Sequence, residues 1–257
     1  MKNIKNYLII LLFLFSACNT IPKKNNQKIE SLYPKKGTFI KSQEDWQIDF
    51  YYKRLSEFKK TPIGHNKIVF LGNSITEGAG DWNKRFRTDN IVNRGISGDI
   101  TKGIIARLEE IIYYKPIAIF LLIGINDIFN SWEDNPDRDK VTESSVASNI
   151  GKIVSIIKNE SPSTKFFVQT ILPIDPESYI KENGFYPKHS IPLSEQIINI
   201  NKLLKANDKL NLIDLHSAFV DHRGYINIKY SNDGVHLNEA GYLNWVNFIS
   251  DKIRLLI

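Results

Sequence analysis

From residue 67 onward, short apolar segments alternate with segments whose apolar residues recur at helical spacing. The apolar segments predict strands at residues 67–71, 91–93, 118–123, 165–169 and 212–214. The helical stripes between and after them are Ile104, Leu108, Ile111 and Ile112; Ile150, Ile153, Val154 and Ile157; and Tyr242, Trp245, Val246, Ile249 and Ile253. Strands that alternate with helices favour a parallel sheet covered on both faces. The pattern predicts an α/β fold of three layers, α/β/α, with a five-stranded parallel sheet.

Residues 43–257 are predicted to form one domain, because a segment of this length fits a single core and no internal repeat is visible. An amphipathic segment at residues 44–58 precedes the first strand and predicts a helix that packs outside the sheet.

Four short motifs lie far apart in this domain: Gly-Asn-Ser-Ile-Thr at residues 72–76, Asn-Arg-Gly-Ile-Ser-Gly-Asp at 93–99, Gly-Ile-Asn-Asp at 124–127 and Asp-Gly-Val-His at 233–236. Ser74 follows the first predicted strand, and open α/β sheets bind their ligands at the carboxyl ends of strands. A serine nucleophile needs an adjacent base, and the base needs an orienting group. His236 and Asp233 fit these two roles, and both would lie on one loop before the last helix.

These motifs resemble the four blocks of the SGNH (GDSL-like) hydrolase superfamily. The resemblance implies a flavodoxin-like SGNH hydrolase fold, Ser74 as nucleophile, His236 as general base and Asp233 as its orienter. It also implies an oxyanion hole formed by the backbone N–H groups of Ser74 and Gly98 and the side-chain amide of Asn126. The chain carries Asn73 where the family commonly has Asp. The motif at residues 93–99 is similar to the branch that contains platelet-activating-factor acetylhydrolase subunits and bacterial acyl-sugar esterases.

Each candidate residue alone has a simpler interpretation. A serine after a strand is usually a helix N-cap, and His236 could be a capping or surface residue. Asn126 and Asp127 could be turn residues, while Asp99 could cap a helix that begins near Thr101. The joint order and spacing of the motifs favour catalysis.

Four other acidic or amide residues lie in or near the motifs and predicted strands. Asp127, Asp99 and Asn93 are expected to support the loops of the site. Asp214 ends a predicted strand and could also serve as the triad acid. Asp233 is favoured over Asp214, because its short link to His236 fixes the two side chains together.

The first residues resemble a bacterial lipoprotein signal. Lys2 and Lys5 precede an apolar run at residues 7–15 that is too short to span a bilayer, and small residues then lead to Cys18. Cys18 is the only cysteine of the chain, so an internal disulfide is excluded. We expect a signal peptide at residues 1–17, a lipid on Cys18, a flexible tether at residues 18–42, and a location at the bacterial cell envelope, facing the periplasm or the cell exterior. The alternative is an ordinary signal peptide that leaves a free thiol.

Several classes of partner find no support in the sequence. The formal net charge is +6, but the positive residues concentrate in the tether and form no basic face with stacking aromatics, so no nucleic acid is expected. The histidines lack metal-ligand spacing, and no glycine-rich phosphate motif occurs, so neither a metal nor another cofactor is expected. The sequence leaves the oligomeric state open.

The predicted loop at residues 172–192 mixes Tyr179, Phe185 and Tyr186 with charged and amide residues, a composition that suits a sugar ring. We therefore expect a serine esterase that hydrolyses short-chain O-acyl esters, such as acetyl esters of glycans. The expected partners are this glycan or small-molecule ester and the membrane that holds the lipid anchor. Lysophospholipids, thioesters and acyl transfer through the same site stay open as alternatives. A glycan-binding lipoprotein without catalysis is less favoured, because every catalytic residue type is present.

Overall fold

The computed structural model describes residues 28–131 and 141–257. The predicted signal peptide, Cys18 and the first part of the tether lie outside the described residues. Within the described part of the chain, no helix has the length and apolarity needed to cross a bilayer.

One sheet of five parallel strands forms the centre of the molecule, in the order β2-β1-β3-β4-β5. The strands are β1 (Ile68–Gly72), β2 (Ile91–Gly95), β3 (Ala118–Leu122), β4 (Lys165–Gln169) and β5 (Asn211–Ile213). All residues of β1 and β3 are buried, as expected for central strands covered on both faces. The predicted five-stranded parallel sheet is confirmed.

Helices cover both faces of the sheet. The helices from residue 45 onward in the described part of the chain are α1 (Asp45–Lys60), α2 (Ser74–Glu77), α3 (Trp82–Phe86), α4 (Thr101–Ala106), α5 (Glu109–Tyr114), α6 (Ile125–Phe129), α7 (Glu143–Glu160), α8 (Pro176–Asn183), α9 (Leu193–Lys205) and α10 (Glu239–Arg254). Two short 3₁₀ segments, Leu215–Ala218 and Ile228–Tyr230, lie between β5 and α10.

Alternate residues of the strands pack against different helices, because successive side chains of a strand point to opposite faces. Val69 and Leu71 face a core made with α4, α5, α7 and α9, whereas Ile68 and Phe70 face a core made with α3 and α10. On the second face, the Phe70 ring stacks on Trp82 with ring centroids 4.0 Å apart. The two cores confirm the predicted three-layer architecture.

The structure differs from the prediction of a single helix over residues 104–112. The chain forms α4 and α5 instead, and the break lies at Arg107, whose φ of −117° and ψ of 25° are not helical. The buried Arg107 guanidinium donates to the Asp99 carboxylate and to the backbone oxygens of Gly72 and Arg94. These three partners hold Arg107 toward the sheet and interrupt the helix.

Packing also begins earlier than the predicted domain boundary at residue 43. Leu32, Tyr33 and Ile40 are buried against α1, where they contact a cluster that includes Leu55 and Phe58. This part of the predicted tether is therefore an ordered strap that shares one apolar cluster with α1 and with Ile96 and Ile100.

Candidate active site

Ser74 stands at the carboxyl end of β1, as the first residue of α2. Asn73 caps this helix, since its Oδ1 accepts a hydrogen bond of 3.1 Å from the Ile75 backbone N–H. Gly72 makes the turn possible: a Cβ there would lie 2.3 Å from Thr76 Oγ1 and 2.4 Å from the Leu122 carbonyl oxygen. Strand, turn and helix together place the serine hydroxyl at the edge of the sheet where ligands of open α/β folds bind.

The loop before α10 brings Asp233 and His236 to Ser74. Ser74 Oγ lies 3.0 Å from His236 Nε2, and His236 Nδ1 lies 2.6 Å from Asp233 Oδ2. The other carboxylate oxygen, Asp233 Oδ1, accepts the backbone N–H groups of Val235 at 2.9 Å and His236 at 2.7 Å. A β-bridge between Ser231 and Leu237 closes the loop on both sides of the pair. This is the hydrogen-bonded order of groups that a nucleophile, base and orienter require.

The electrostatics of the pair follow from these contacts. Partial burial raises the pKa of Asp233, but the hydrogen bonds from His236 and Val235 outweigh it and lower the pKa to about 2. Asp233 is therefore ionised at neutral pH. Asp214, the alternative acid, instead contacts Lys205 Nζ at 2.7 Å and Thr170 Oγ1 at 3.1 Å.

Three further donors expected from the sequence meet at this site. Gly98 has φ of +77°, a left-handed conformation that glycine adopts without strain. The backbone N–H groups of Ser74 and Gly98 have no acceptor in the parts of the chain that the structure describes. Asn126 donates one amide hydrogen to the Asp99 carbonyl oxygen at 2.9 Å, which leaves its second hydrogen for another acceptor. Ser74, Gly98, Asn126 and His236 all line one cavity of about 490 Å³.

A buried layer supports the loops that carry these donors. The Asp127 carboxylate accepts the Thr101 backbone N–H at 3.0 Å and the Thr101 hydroxyl at 2.5 Å, which ties α6 to α4. Asp99 pairs with the buried Arg107 at 2.9 Å. Burial raises the pKa of both carboxyls to about 6, against the opposing effect of their hydrogen bonds. Asn93 Nδ2 donates to the carbonyl oxygens at the end of α2.

Sequence reasoning missed the part of the site that α1 provides. Glu44, Trp46 and Gln47 line the cavity, although they precede the first motif by more than twenty residues. Sequence analysis identified only the amphipathic pattern of this helix. The cavity is also lined by Tyr179 of α8 and by Phe185 and Pro187, all within the predicted aromatic loop.

The described residues contain no group of three His, Cys, Asp or Glu side chains arranged to hold a metal ion. The polar side chains around the cavity include the hydroxyls of Ser74 and Ser97, the His236 imidazole, the Glu44 carboxylate and the amides of Gln47, Asn126 and Asn130. With such a set, a hydroxyl can attack a carbonyl carbon while its proton moves to the imidazole. N–H groups can donate hydrogen bonds to the carbonyl oxygen.

The family model of the GDSL-like lipases and acylhydrolases matches residues 70–243, more than half of the chain. The chain belongs to this family. It is therefore a hydrolase that acts on ester bonds, and the resemblance to SGNH hydrolases is confirmed. The matched residues begin inside β1 and end inside α10, so α1 lies ahead of them.

Curated relatives and solved structures agree with this assignment. The human platelet-activating factor acetylhydrolase IB subunit alpha2 is 28% identical over 199 residues, which cover 74% of this chain and 77% of that protein. A GDSL-like lipase from Bacteroides thetaiotaomicron has a TM-score of 0.65 at 21% identity and covers 80% of this chain and 98% of its own. A catalytic mutant of an acetylxylan esterase from Geobacillus stearothermophilus has a TM-score of 0.57 at 18% identity, with 74% and 95% covered. At these identities the two solved structures show the shared fold.

Proposed function

We propose that the chain is a serine esterase in which Ser74 is the nucleophile, His236 the general base and Asp233 its orienter. The observation that carries this proposal is the continuous contact from Ser74 Oγ through both ring nitrogens of His236 to the ionised Asp233, opening on the cavity. A hydroxyl without such a base is a poor nucleophile at neutral pH, so this contact supplies what acyl transfer needs.

In the first half of the reaction, Ser74 Oγ attacks the ester carbonyl carbon while its proton passes to His236 Nε2. The carbonyl oxygen becomes negative and accepts hydrogen bonds from the N–H groups of Ser74 and Gly98 and from the Asn126 amide. When the intermediate collapses, the bond to the alcohol oxygen breaks and His236 returns its proton to that oxygen. Asp233 stabilises the imidazolium and keeps the proton on Nδ1 before and after transfer.

In the second half, a water molecule takes the place of the alcohol. His236 accepts a proton from this water as its oxygen attacks the acyl carbon, and the same donors again hold the oxyanion. Collapse breaks the acyl bond to Ser74, whose oxygen recovers the proton from His236. The products are a carboxylic acid and the free enzyme, so atoms and protons balance without a cofactor.

For the substrate, we propose short-chain O-acyl esters of glycans, with acetyl as the acyl group. Two features support this choice. Aromatic side chains at Tyr179 and Phe185, with ring centroids 6.0 Å apart, line the cavity beside polar groups and suit a sugar ring. Two relatives are also described as acting on acetyl groups: a platelet-activating factor acetylhydrolase subunit and an acetylxylan esterase.

The test combines a panel of esters with variants of two serines. The wild type should hydrolyse p-nitrophenyl acetate and acetylated xylo-oligosaccharides, and Ser74→Ala should abolish both activities. Ser250→Ala is the matched control, because this hydroxyl lies on α10 away from the cavity and donates to the Asn247 carbonyl oxygen of the same helix. A phosphonate inhibitor should label Ser74 in the intact enzyme. Activity in Ser74→Ala, or labelling of another serine, would reject the nucleophile.

We also propose that a lipid on Cys18 anchors the enzyme at the bacterial cell envelope, after removal of residues 1–17. The basic start, the short apolar run and the single cysteine support this proposal. The expressed protein should partition into membranes, and Cys18→Ala should release it or block its maturation, while Thr20→Ala should leave its distribution unchanged. A fully soluble wild type whose first residue is Asn19 or later would rule out the anchor.

A further inference from the structure

One wall of the cavity comes from α1, which precedes the residues that match the family model. Its first turn is fixed to the site by a reciprocal pair of amide hydrogen bonds. Asn130 Nδ2 donates to Gln47 Oε1 at 2.9 Å, and Gln47 Nε2 donates to Asn130 Oδ1 at 3.3 Å. Both side chains are buried, and Asn130 directly follows α6, the helix that carries Asn126. The wall therefore has a defined position relative to the oxyanion donors.

Trp46 forms the surface of this wall next to Gly98. A Cβ at Gly98 would lie 2.6 Å from Trp46 Cη2, so the indole ring rests directly on the glycine backbone. The indole N–H donates to Glu44 Oε2 at 2.7 Å, which fixes the ring orientation. Trp46 is nevertheless 54% exposed. A large ring that is held in place but left half uncovered at a cavity offers an apolar face to whatever enters.

The proposed mechanism indicates which part of the ester substrate lies next to the Trp46 indole. His236 must reach the oxygen of the leaving alcohol, so the alcohol lies on the side of the histidine loop. That side is the α8 wall: the Asp175 backbone N–H, at the cap of α8, donates to the Gly234 carbonyl oxygen at 2.8 Å. The carbonyl oxygen of the ester points to Gly98 and Asn126. The remaining substituent of the carbonyl carbon, the acyl chain, is then directed toward the α1 wall.

We infer that Trp46 is a specificity residue that closes the acyl side of the site and restricts the enzyme to short acyl groups. This inference rests on the proposed function. It attributes the limit on acyl-chain length to a residue that precedes residues 70–243, the segment that matches the family model. A long acyl chain on this side meets the ring, whereas an acetyl group ends after one methyl group. A shift of the glycine beneath the ring would displace an oxyanion donor, because that donor is its own backbone N–H.

The test measures kcat/KM for p-nitrophenyl acetate, butyrate and octanoate with the wild type, Trp46→Ala and Trp46→Phe. In Trp46→Ala the ratio of octanoate to acetate hydrolysis should rise at least about tenfold, because space for several methylenes becomes available. Trp46→Phe keeps an aromatic ring and should stay closer to the wild-type ratio. Phe39→Ala is the matched control: Phe39 is 78% exposed in the same N-terminal region and does not line the cavity.

Two results would overturn the inference while leaving the esterase proposal intact. The first is an unchanged ratio in Trp46→Ala with acetate hydrolysis that still depends on Ser74. The second is an equal fall for all three esters, which would show that the ring only positions Gly98. Loss of the Ser74 dependence itself would instead refute the proposed nucleophile, so the two failures are distinguishable. Thermal melting of each variant confirms that the compared proteins are folded.

Discussion

At the scale of single residues, the proposed mechanism depends on donors that are aimed before the substrate arrives. Asn126 illustrates this, because one hydrogen of its amide is held by the Asp99 carbonyl oxygen and the amide plane is thereby fixed. Preorganised donors of this kind stabilise the oxyanion without reorganisation at the moment of reaction. Asp233 does the same for the imidazole, through one side-chain contact and two backbone contacts.

The first prediction concerns Asn126→Ala, which removes one oxyanion donor. We expect kcat to fall by about a hundred- to a thousandfold with little change in KM, because the lost hydrogen bond forms fully only in the transition state. Steady-state kinetics on p-nitrophenyl acetate measure both constants. A rise in KM at constant kcat would mean that Asn126 binds the ground state instead.

The second prediction concerns pH. Asp233, with a pKa of about 2, stays ionised in weak acid, and its contribution to stability is lost only as the pH falls from about 3.9 toward that value. We expect kcat/KM to fall on acidification, since a protonated His236 cannot accept the serine proton. A rate that stays level down to about pH 4 would exclude His236 as the base.

This experiment needs a control for Asp99 and Asp127, because burial raises the pKa of each to about 6 and both carboxyls therefore also take up protons on acidification. Asp127→Asn removes one of these two titrations and keeps an acceptor for Thr101. The acid limb of the profile should persist in this variant with the same midpoint. If the fall of kcat/KM at acidic pH disappears in Asp127→Asn, the group that causes it is the buried Asp127 carboxyl.

At the scale of elements, α1 and α2 hold the loop that carries Gly98. Glu77, in the last position of α2, accepts the backbone N–H of Ser97 at 2.6 Å and its hydroxyl at 2.7 Å through Oε2. Its Oε1 contacts Arg54 Nε of α1 at 3.0 Å. One carboxylate therefore joins the nucleophile helix, the oxyanion loop and the N-terminal helix.

The third prediction follows from this junction. Glu77→Gln turns one acceptor oxygen into a donor, which must face either Ser97 or Arg54, both of them donors already. We expect kcat to fall about tenfold or more with a small change in KM, because the oxyanion loop shifts relative to Ser74. Arg85 and Glu239 offer a control pair that joins α3 to α10 through exposed Glu239. Equal kinetic effects of Glu239→Gln and Glu77→Gln would contradict a specific role of Glu77.

The elements themselves were predictable to different degrees. All five strands were expected within a few residues of their bounds, because buried parallel strands are continuous apolar runs. The helix α9 was missed although Leu193, Ile197, Ile200 and Leu204 form a buried helical stripe. The Asp-Pro start of α8 is likewise a helix signal, because Asp175 caps it and Pro176 occupies its first turn. The stripe of α9 directly follows the predicted loop at residues 172–192, and the start of α8 lies inside it, so the polar and aromatic composition of that segment hid both helices.

The site residues were predictable where they lie in local motifs. The four motifs each supplied part of the site, and the structure brings Ser74, Gly98, Asn126 and His236 to one cavity. The contribution of α1 was not predictable, because Gln47 and Asn130 are separated by 83 residues and polar pairs at such separations leave no periodic pattern. The assignment of the strap at residues 32–40 to a flexible tether failed for a related reason: a few apolar residues without periodicity gave no sign of the surface they cover.

At the scale of the whole molecule, a buried ion pair joins the edge of the sheet to the helical layer. Arg94 of β2 contacts Glu110 of α5 through two hydrogen bonds of 2.9 Å, and both side chains are almost fully buried. Glu110 also accepts the Ile63 backbone N–H at 2.9 Å, and Arg94 donates to the Thr61 carbonyl oxygen at 2.7 Å. The segment between α1 and β1 is thereby fixed to the same pair.

The fourth prediction is that Glu110→Ala lowers the free energy of unfolding by about 3 to 5 kcal/mol, because it leaves the Arg94 charge buried without its partner. Denaturant unfolding of the two proteins measures this difference. Lys205→Ala, which breaks the exposed pair with Asp214, should cost no more than about 1 kcal/mol. Similar losses in the two variants would contradict the distinction between buried and exposed pairs.

The location of the three proposed catalytic groups in the chain also has a consequence for refolding. Asp233 and His236 are three residues apart, so their contact can form as soon as one short loop closes. The contact from Ser74 to His236 spans 162 residues and needs the assembled sheet as well as the docked loop. Long-range contacts of this kind carry the largest loop-closure cost and form late in folding. Helices can therefore form before the active site is assembled. When the denatured enzyme is returned to buffer, esterase activity should recover more slowly than the circular dichroism signal of the helices.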